Sequence, residues 1–224
     1  NKTVLPIKNT VGVYLLGAWV RDSCAGIGTM TYYDDSHNYF AALGHGICDC
    51  DTAALLPLKS GETVQAQISG IDKSVCGKAG SFCGYFTDVR LGNLSVNSPL
   101  GIFGDLTSEN YKRNKKYLIA NDDEVKTGKA VMVTTPVGNT PQEYEIEIKR
   151  ICNRDMTSNE NFVIKITDSR LLENCGGIVQ GMSGSPIVQN GKIVGAVTHV
   201  FLNNPREGYG VFAQYMAECY NNQH

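Results

Sequence analysis

The segment from Gly176 to Val200, GGIVQGMSGSPIVQNGKIVGAVTHV, limits what this chain can become more than any other. Its second part carries strand chemistry: the run Pro186-Ile187-Val188, then Asn190-Gly191, then a β-branched return from Ile193 to Thr198. An Asn-Gly pair between two such runs predicts a hairpin with a type I′ turn, because both central residues of that turn need positive φ. Immediately before it stands Gly181-Met182-Ser183-Gly184-Ser185-Pro186. Glycines on both sides of a serine permit a tight turn that exposes the Ser183 hydroxyl on a rigid loop. They also free the Gly181 and Ser183 amides to converge beside that hydroxyl, as an oxyanion hole requires. Ser183 is therefore the expected nucleophile. Ser185 is the weaker candidate, because Pro186 holds it extended and directs it into the strand. The plain alternative is an ordinary turn, since Gly and Ser are common turn residues.

A serine needs a base to take its proton, and the base works best when a third group fixes its tautomer. Tyr39 to Leu43 reads as a strand that runs straight into Gly44-His45-Gly46. A histidine bracketed by glycines at a strand end can be approached closely by another loop, and His45 is the expected general base. His37 lies in a polar turn and His224 at the terminus. His199 follows the hairpin strand; it is the one rival base, and its position suits a wall of the substrate pocket. For the third member the residues leave two choices, Asp168 at the end of a strand and Asp88 in Phe86-Thr87-Asp88-Val89. An aspartate at a strand end often only caps a turn.

With 224 residues, 42% hydrophobic and 19% charged, the chain is expected to be globular with a substantial core. A net charge of −2 gives no reason to expect nucleic acid or an anionic membrane as partner. No apolar run reaches the roughly 18 residues of a membrane span. The chain opens on a strand-like segment without an initiator Met, as expected of a piece cut from a longer protein. Its eight cysteines are irregularly spaced, so free buried thiols are the default. His45, Cys48 and Cys50 could suggest zinc, but no second pair completes a tetrahedral set, and no metal or cofactor is expected.

The 24 glycines fall among many short β-branched runs, which points to an all-β sandwich or barrel. Val11 to Leu16, Gly26 to Tyr33, Tyr39 to Leu43, Thr63 to Ser69, Lys129 to Thr135 and Phe162 to Thr167 read as strands. Glu143 to Ile151 alternates strictly, with Tyr144, Ile146 and Ile148 on one face. The Asn97–Gly104 run is rich in turn formers and is expected to bend the chain between two halves. Asn110 to Lys116 reads as a polar linker or edge. Only Phe212 to Tyr220 has helical character.

Gly44-His45-Gly46, the Asn97–Gly104 run, Ile166 to Leu172 (ITDSRLL) and the Gly176–Val200 segment, continuing to Gly208-Tyr-Gly-Val-Phe, together resemble the SpoIVB peptidase family. These are stage IV sporulation serine endopeptidases of spore-forming Firmicutes. The resemblance implies an all-β, chymotrypsin-like double β-barrel with its site in the inter-barrel cleft. Residues 1–116 would form the half carrying His45 and 117–224 the half carrying Ser183, together one peptidase domain. It also implies His45 as base, Ser183 as nucleophile, Asp168 as the acid, and the Gly181 and Ser183 amides as oxyanion hole. Met182 stands where related secreted proteases carry an acidic residue, so a buried ion pair there is not expected. The implied activity is endoproteolysis of a protein substrate, with the enzyme itself a candidate, in sporulation signalling outside the cytoplasm. The full-length protein would carry a membrane anchor and a PDZ domain. The alternative is a catalytically inactive, protease-like module that binds peptides.

Overall fold

The computed structural model describes residues 7–8, 10–12, 14–15, 24–107, 115–138 and 140–222. In chain order the strands of the first half are β1 (Ile7–Lys8), β2 (Tyr14–Leu15), β3 (Met30–Asp34), β4 (Tyr39–Ala42), β5 (Gly61–Asp72), β6 (Gly80–Ser98) and β7 (Gly101–Leu106). They are followed by β8 (Leu118–Ile119), β9 (Gly128–Thr134), β10 (Gln142–Ile151) and β11 (Phe162–Ile166). Helix α1 (Ser169–Cys175) then precedes β12 (Val179–Gln180), β13 (Pro186–Gln189), β14 (Lys192–Val200) and β15 (Glu207–Phe212), and α2 (Ala213–Asn221) ends the described chain.

Two large sheets result. In the second, β13-β9-β10-β11-β15-β14 runs in order and β14 pairs back onto β13, so six strands close into a barrel with β8 attached to β14. Closure leaves those six strands without free edges. The first sheet runs β12-β6-β7-β4-β3 with β5 on β6, and β12 reaches it from the second half of the chain. Register shifts along β5 and β6 mark bulges, which bend long strands and raise their twist.

Local sequence explains most elements. Asn190 (φ 52°) and Gly191 (φ 77°) both adopt the left-handed conformation that the β13–β14 turn requires. Tyr144, Ile146 and Ile148 of β10 are all buried, as the period of two demands. In the barrel, Phe162 is fully buried against Gly195 on β14 and Gly210 on β15, where an added Cβ would lie 2.7 and 2.5 Å from its ring. Helix α2 buries Ala213, Tyr215, Met216 and Tyr220. The Tyr220 ring stacks on Tyr39 of the first sheet, with centroids 3.9 Å apart. Side chains from both sheets, among them Phe103 and Ile164, belong to one continuous core.

The structure departs from the sequence expectations in four places. Helix α1 was not expected; Asp168 caps its start and Gly176, at φ 72°, its end. The Asn97–Gly104 run is the tight connection between β6 and β7 inside the first sheet rather than a bend between halves. Of the eight free thiols only Cys175 is buried. Of the expected strand at Val11 to Leu16, Tyr14–Leu15 forms β2 and Val11 and Gly12 lie in a turn, while Val13 and Leu16 fall outside the described residues, as does most of the expected linker at Asn110 to Lys116.

Replacing Phe162 by Ala should empty the centre of the closed barrel and cost about 3–5 kcal/mol. Chemical denaturation would show it as a lower midpoint at an unchanged slope.

Candidate active site

His45 lies just past the end of β4. Leu43 (φ 68°) and Gly44 (φ 69°) turn the chain sharply there, and an added Cβ on Gly44 would sit 3.0 Å from the Thr198 side chain. Glycine at 44 thus lets the His45 loop touch β14 of the barrel. The loop beyond is pinned by Asn97, whose Oδ1 accepts from the Ile47 amide (2.8 Å) while its Nδ2 donates to the carbonyls of Ile47 (2.9 Å) and Leu56 (2.8 Å). The half-buried His45 places Nδ1 2.9 Å from the Gly46 carbonyl oxygen. A hydrogen on Nδ1 makes that contact a hydrogen bond and leaves Nε2 as the basic nitrogen.

The serine loop is held from the other side. Thr29, just before β3, donates from its amide to the Ser183 carbonyl (2.9 Å) and from its hydroxyl to the Gly181 carbonyl (2.8 Å). Gly184 has φ 90°, and a Cβ there would lie 2.0 Å from the Thr29 carbonyl oxygen and 2.5 Å from the Leu43 nitrogen. No other residue fits between the two sheets at this point. With their carbonyls taken by Thr29, Gly181 and Ser183 keep amides that have no acceptor among the described residues. Ser183 is half-buried and its hydroxyl donates to the Thr198 carbonyl at 3.0 Å. Ser185 is fully buried, and Met182 likewise.

Thr198 joins the loops. Its carbonyl accepts from Ser183, its hydroxyl donates to the Asn159 carbonyl at 2.9 Å, and the next residue is His199. The His199 ring lies beside that of His45, with centroids 5.2 Å apart and planes tilted by 33°. Both rings line a cavity of about 280 Å³ together with Gly46, Cys48, Pro99 and Asn159. His199 is exposed by its own surface, yet partial desolvation by the surrounding loops, with the neighbouring His45 adding to it, lowers its pKa below the ordinary imidazole value.

Asp168 stands elsewhere. Its carboxylate caps α1 by accepting from the Arg170 amide (2.9 Å), pairs with the Arg170 guanidinium (2.8 Å) and accepts from the Glu145 amide (3.2 Å). It makes no hydrogen bond to His45. The Arg170 guanidinium and these amides pull its pKa down to about 2. Asp88, the other carboxylate considered, is exposed on β6 and makes no hydrogen bond to His45 either. His45, Cys48 and Cys50 do not form a metal-holding group among the described residues, and Asp49 between the cysteines caps its own turn through the Thr52 amide. Sequence reasoning missed Thr29, Asn97 and Asn159, whose roles come from contacts across long stretches of chain.

The family model described as SpoIVB peptidase S55 matches residues 12–217. No protein of curated function matches the chain. Among solved structures, the active form of the Rv3671c protease from M. tuberculosis is 16% identical, with 66% of this chain and 76% of that one covered and a TM-score of 0.40. The HtrA-type protease AlgW with a decapeptide is 16% identical over 64% of this chain and 42% of that one, at a TM-score of 0.43. A mutant of human heparin binding protein is 11% identical over 82% and 73%, at a TM-score of 0.39.

Because Asp168 titrates near 2 in the folded protein and near 3.8 otherwise, its charged form stabilises the fold above about pH 4, and that contribution disappears as pH falls towards about 2. Asp168→Asn should keep a cap acceptor but flatten this part of the pH–stability curve. At neutral pH it should cost about 1–2 kcal/mol. Thermal melts of both proteins between these pH limits measure the difference.

Proposed function

The chain belongs to the SpoIVB peptidase S55 family and is a serine endopeptidase of chymotrypsin-like fold, and we propose that Ser183 is its nucleophile and His45 its base. The observation that carries this reading is the interlock at Thr29 and Gly184. It sets a hydroxyl and two acceptor-free amides on a loop packed against the strand end that bears His45.

The chemistry follows from the groups present. Ser183 Oγ leaves the Thr198 carbonyl and attacks the peptide carbonyl carbon as its proton passes to His45 Nε2. The negative oxygen of the tetrahedral intermediate accepts from the Gly181 and Ser183 amides; the Ser183 N–H shares its peptide plane with the Met182 carbonyl, which the Ser185 amide already holds at 2.8 Å, so its direction costs no reorganisation. The imidazolium then gives its proton to the departing amine, and the peptide C–N bond breaks. Water, deprotonated by the same imidazole, opens the acyl-enzyme. Hydrogen bonds in unliganded sites are often misaligned and tighten only with substrate, which accords with the resting contact of Ser183 to Thr198.

The substrate is a protein or peptide. From the family we propose that it belongs to sporulation signalling, that the enzyme itself is among the chains it cleaves, and that it acts between the mother-cell and forespore membranes. A membrane anchor and a PDZ domain in the full-length protein would suit that setting. A second reading, a peptide-binding module without catalysis, draws support from the hydroxyl turned to Thr198 and from the lack of a carboxylate hydrogen-bonded to His45 among the described residues.

One experiment separates them. A fluorophosphonate ester should label Ser183 covalently, Ser183→Ala should abolish labelling and self-cleavage, and His45→Ala should slow both by at least about 10³-fold. A parent protein that takes up no label would favour the binding module.

A further inference from the structure

We propose that His199 is the positioning residue of the catalytic base: its ring, packed beside His45, and the Gly46 carbonyl together hold the imidazole for proton transfer from Ser183. The inference rests on the serine-peptidase reading above and goes beyond a wall of the substrate pocket. A base needs two constraints, a fixed tautomer and a fixed ring orientation. The Gly46 oxygen, 2.9 Å from Nδ1, supplies the first. No aspartate or glutamate lines the cavity into which the ring projects, and Asp168 spends its oxygens on Arg170 and Glu145. Among the described residues, the aromatic ring set beside it is that of His199, with centroids 5.2 Å apart.

The backbone shows how His199 reaches that place. The pairing of β14 with β15 shifts register between Val197 and Val200, so Thr198 and His199 sit in a bulge. Bulges beside active sites re-aim side chains. Thr198 is tied down there by the Asn159 carbonyl, and an added Cβ on Gly208 would strike the His199 carbonyl oxygen at 2.4 Å, so the strand cannot slide.

Saturation kinetics of fluorophosphonate labelling test this without a known substrate. His199→Ala should lower the limiting rate kinact by about 10²-fold, the cost of a misplaced catalytic group, with KI within about threefold. His199→Phe restores a flat ring and should recover kinact to within about threefold of the parent. An unchanged rate in H199A, an H199F variant as slow as H199A, or a larger loss of kinact in Asp168→Asn than in H199A would each overturn the proposal. A parent enzyme that is not labelled at Ser183 would instead remove the serine-peptidase reading itself.

Discussion

Everything at the site depends on Thr29. Its amide and hydroxyl take the two carbonyls of the serine loop, which ties that loop to the first sheet on both sides of Met182. Hydrogen bonds of this kind are worth only about 1 kcal/mol each in stability, yet their value here is directional. The Ser183 N–H lies in the peptide plane of the Met182 carbonyl, and that carbonyl accepts from the Ser185 amide at 2.8 Å. The clash-tight fit of Gly184 under Leu43 adds a steric stop to the same arrangement, so the loop is located by repulsion as well as by attraction.

The barrel gives that loop a rigid base. Because β13 pairs with both β9 and β14, the strands on either side of the β13–β14 hairpin cannot fray independently. Ser183 stands three residues before β13, and Thr198 and His199 lie inside β14. The first sheet has no equivalent closure among the described residues and instead relies on the shared core and on the stacking of Tyr220 against Tyr39. One half of the enzyme is fixed by its own hydrogen-bond ring; the other is fixed by what it leans on.

What could be read from the sequence follows from how local each determinant is. The Asn190-Gly191 turn, the alternation through Tyr144, Ile146 and Ile148, and the terminal helix rest on neighbours within a few positions, and the elements form there. The glycines around His45 and Ser183 singled out two loops that the structure sets against each other. Helix α1 escaped notice because seven residues are too few to show a period; a cap at each end holds it instead. The closure of β14 onto β13 and β9, the Asn97 clamp and the two Thr29 bonds all join segments far apart in the chain, and no short pattern announces them. Asp168 shows the same limit from the other side. Its place before a serine motif looks catalytic by resemblance, whereas its oxygens in three dimensions are spent on a helix start and an arginine.

Strand β12 has a consequence of its own. Val179 and Gln180 belong by sequence to the barrel half, but they hydrogen-bond to Gly80 and Ser81 of the other sheet, directly ahead of Gly181. The tether of the Ser183 loop is thus woven into the opposite sheet. Loosening of the first sheet would reach the reactive loop at once, so that a partly melted molecule is also an unarmed one.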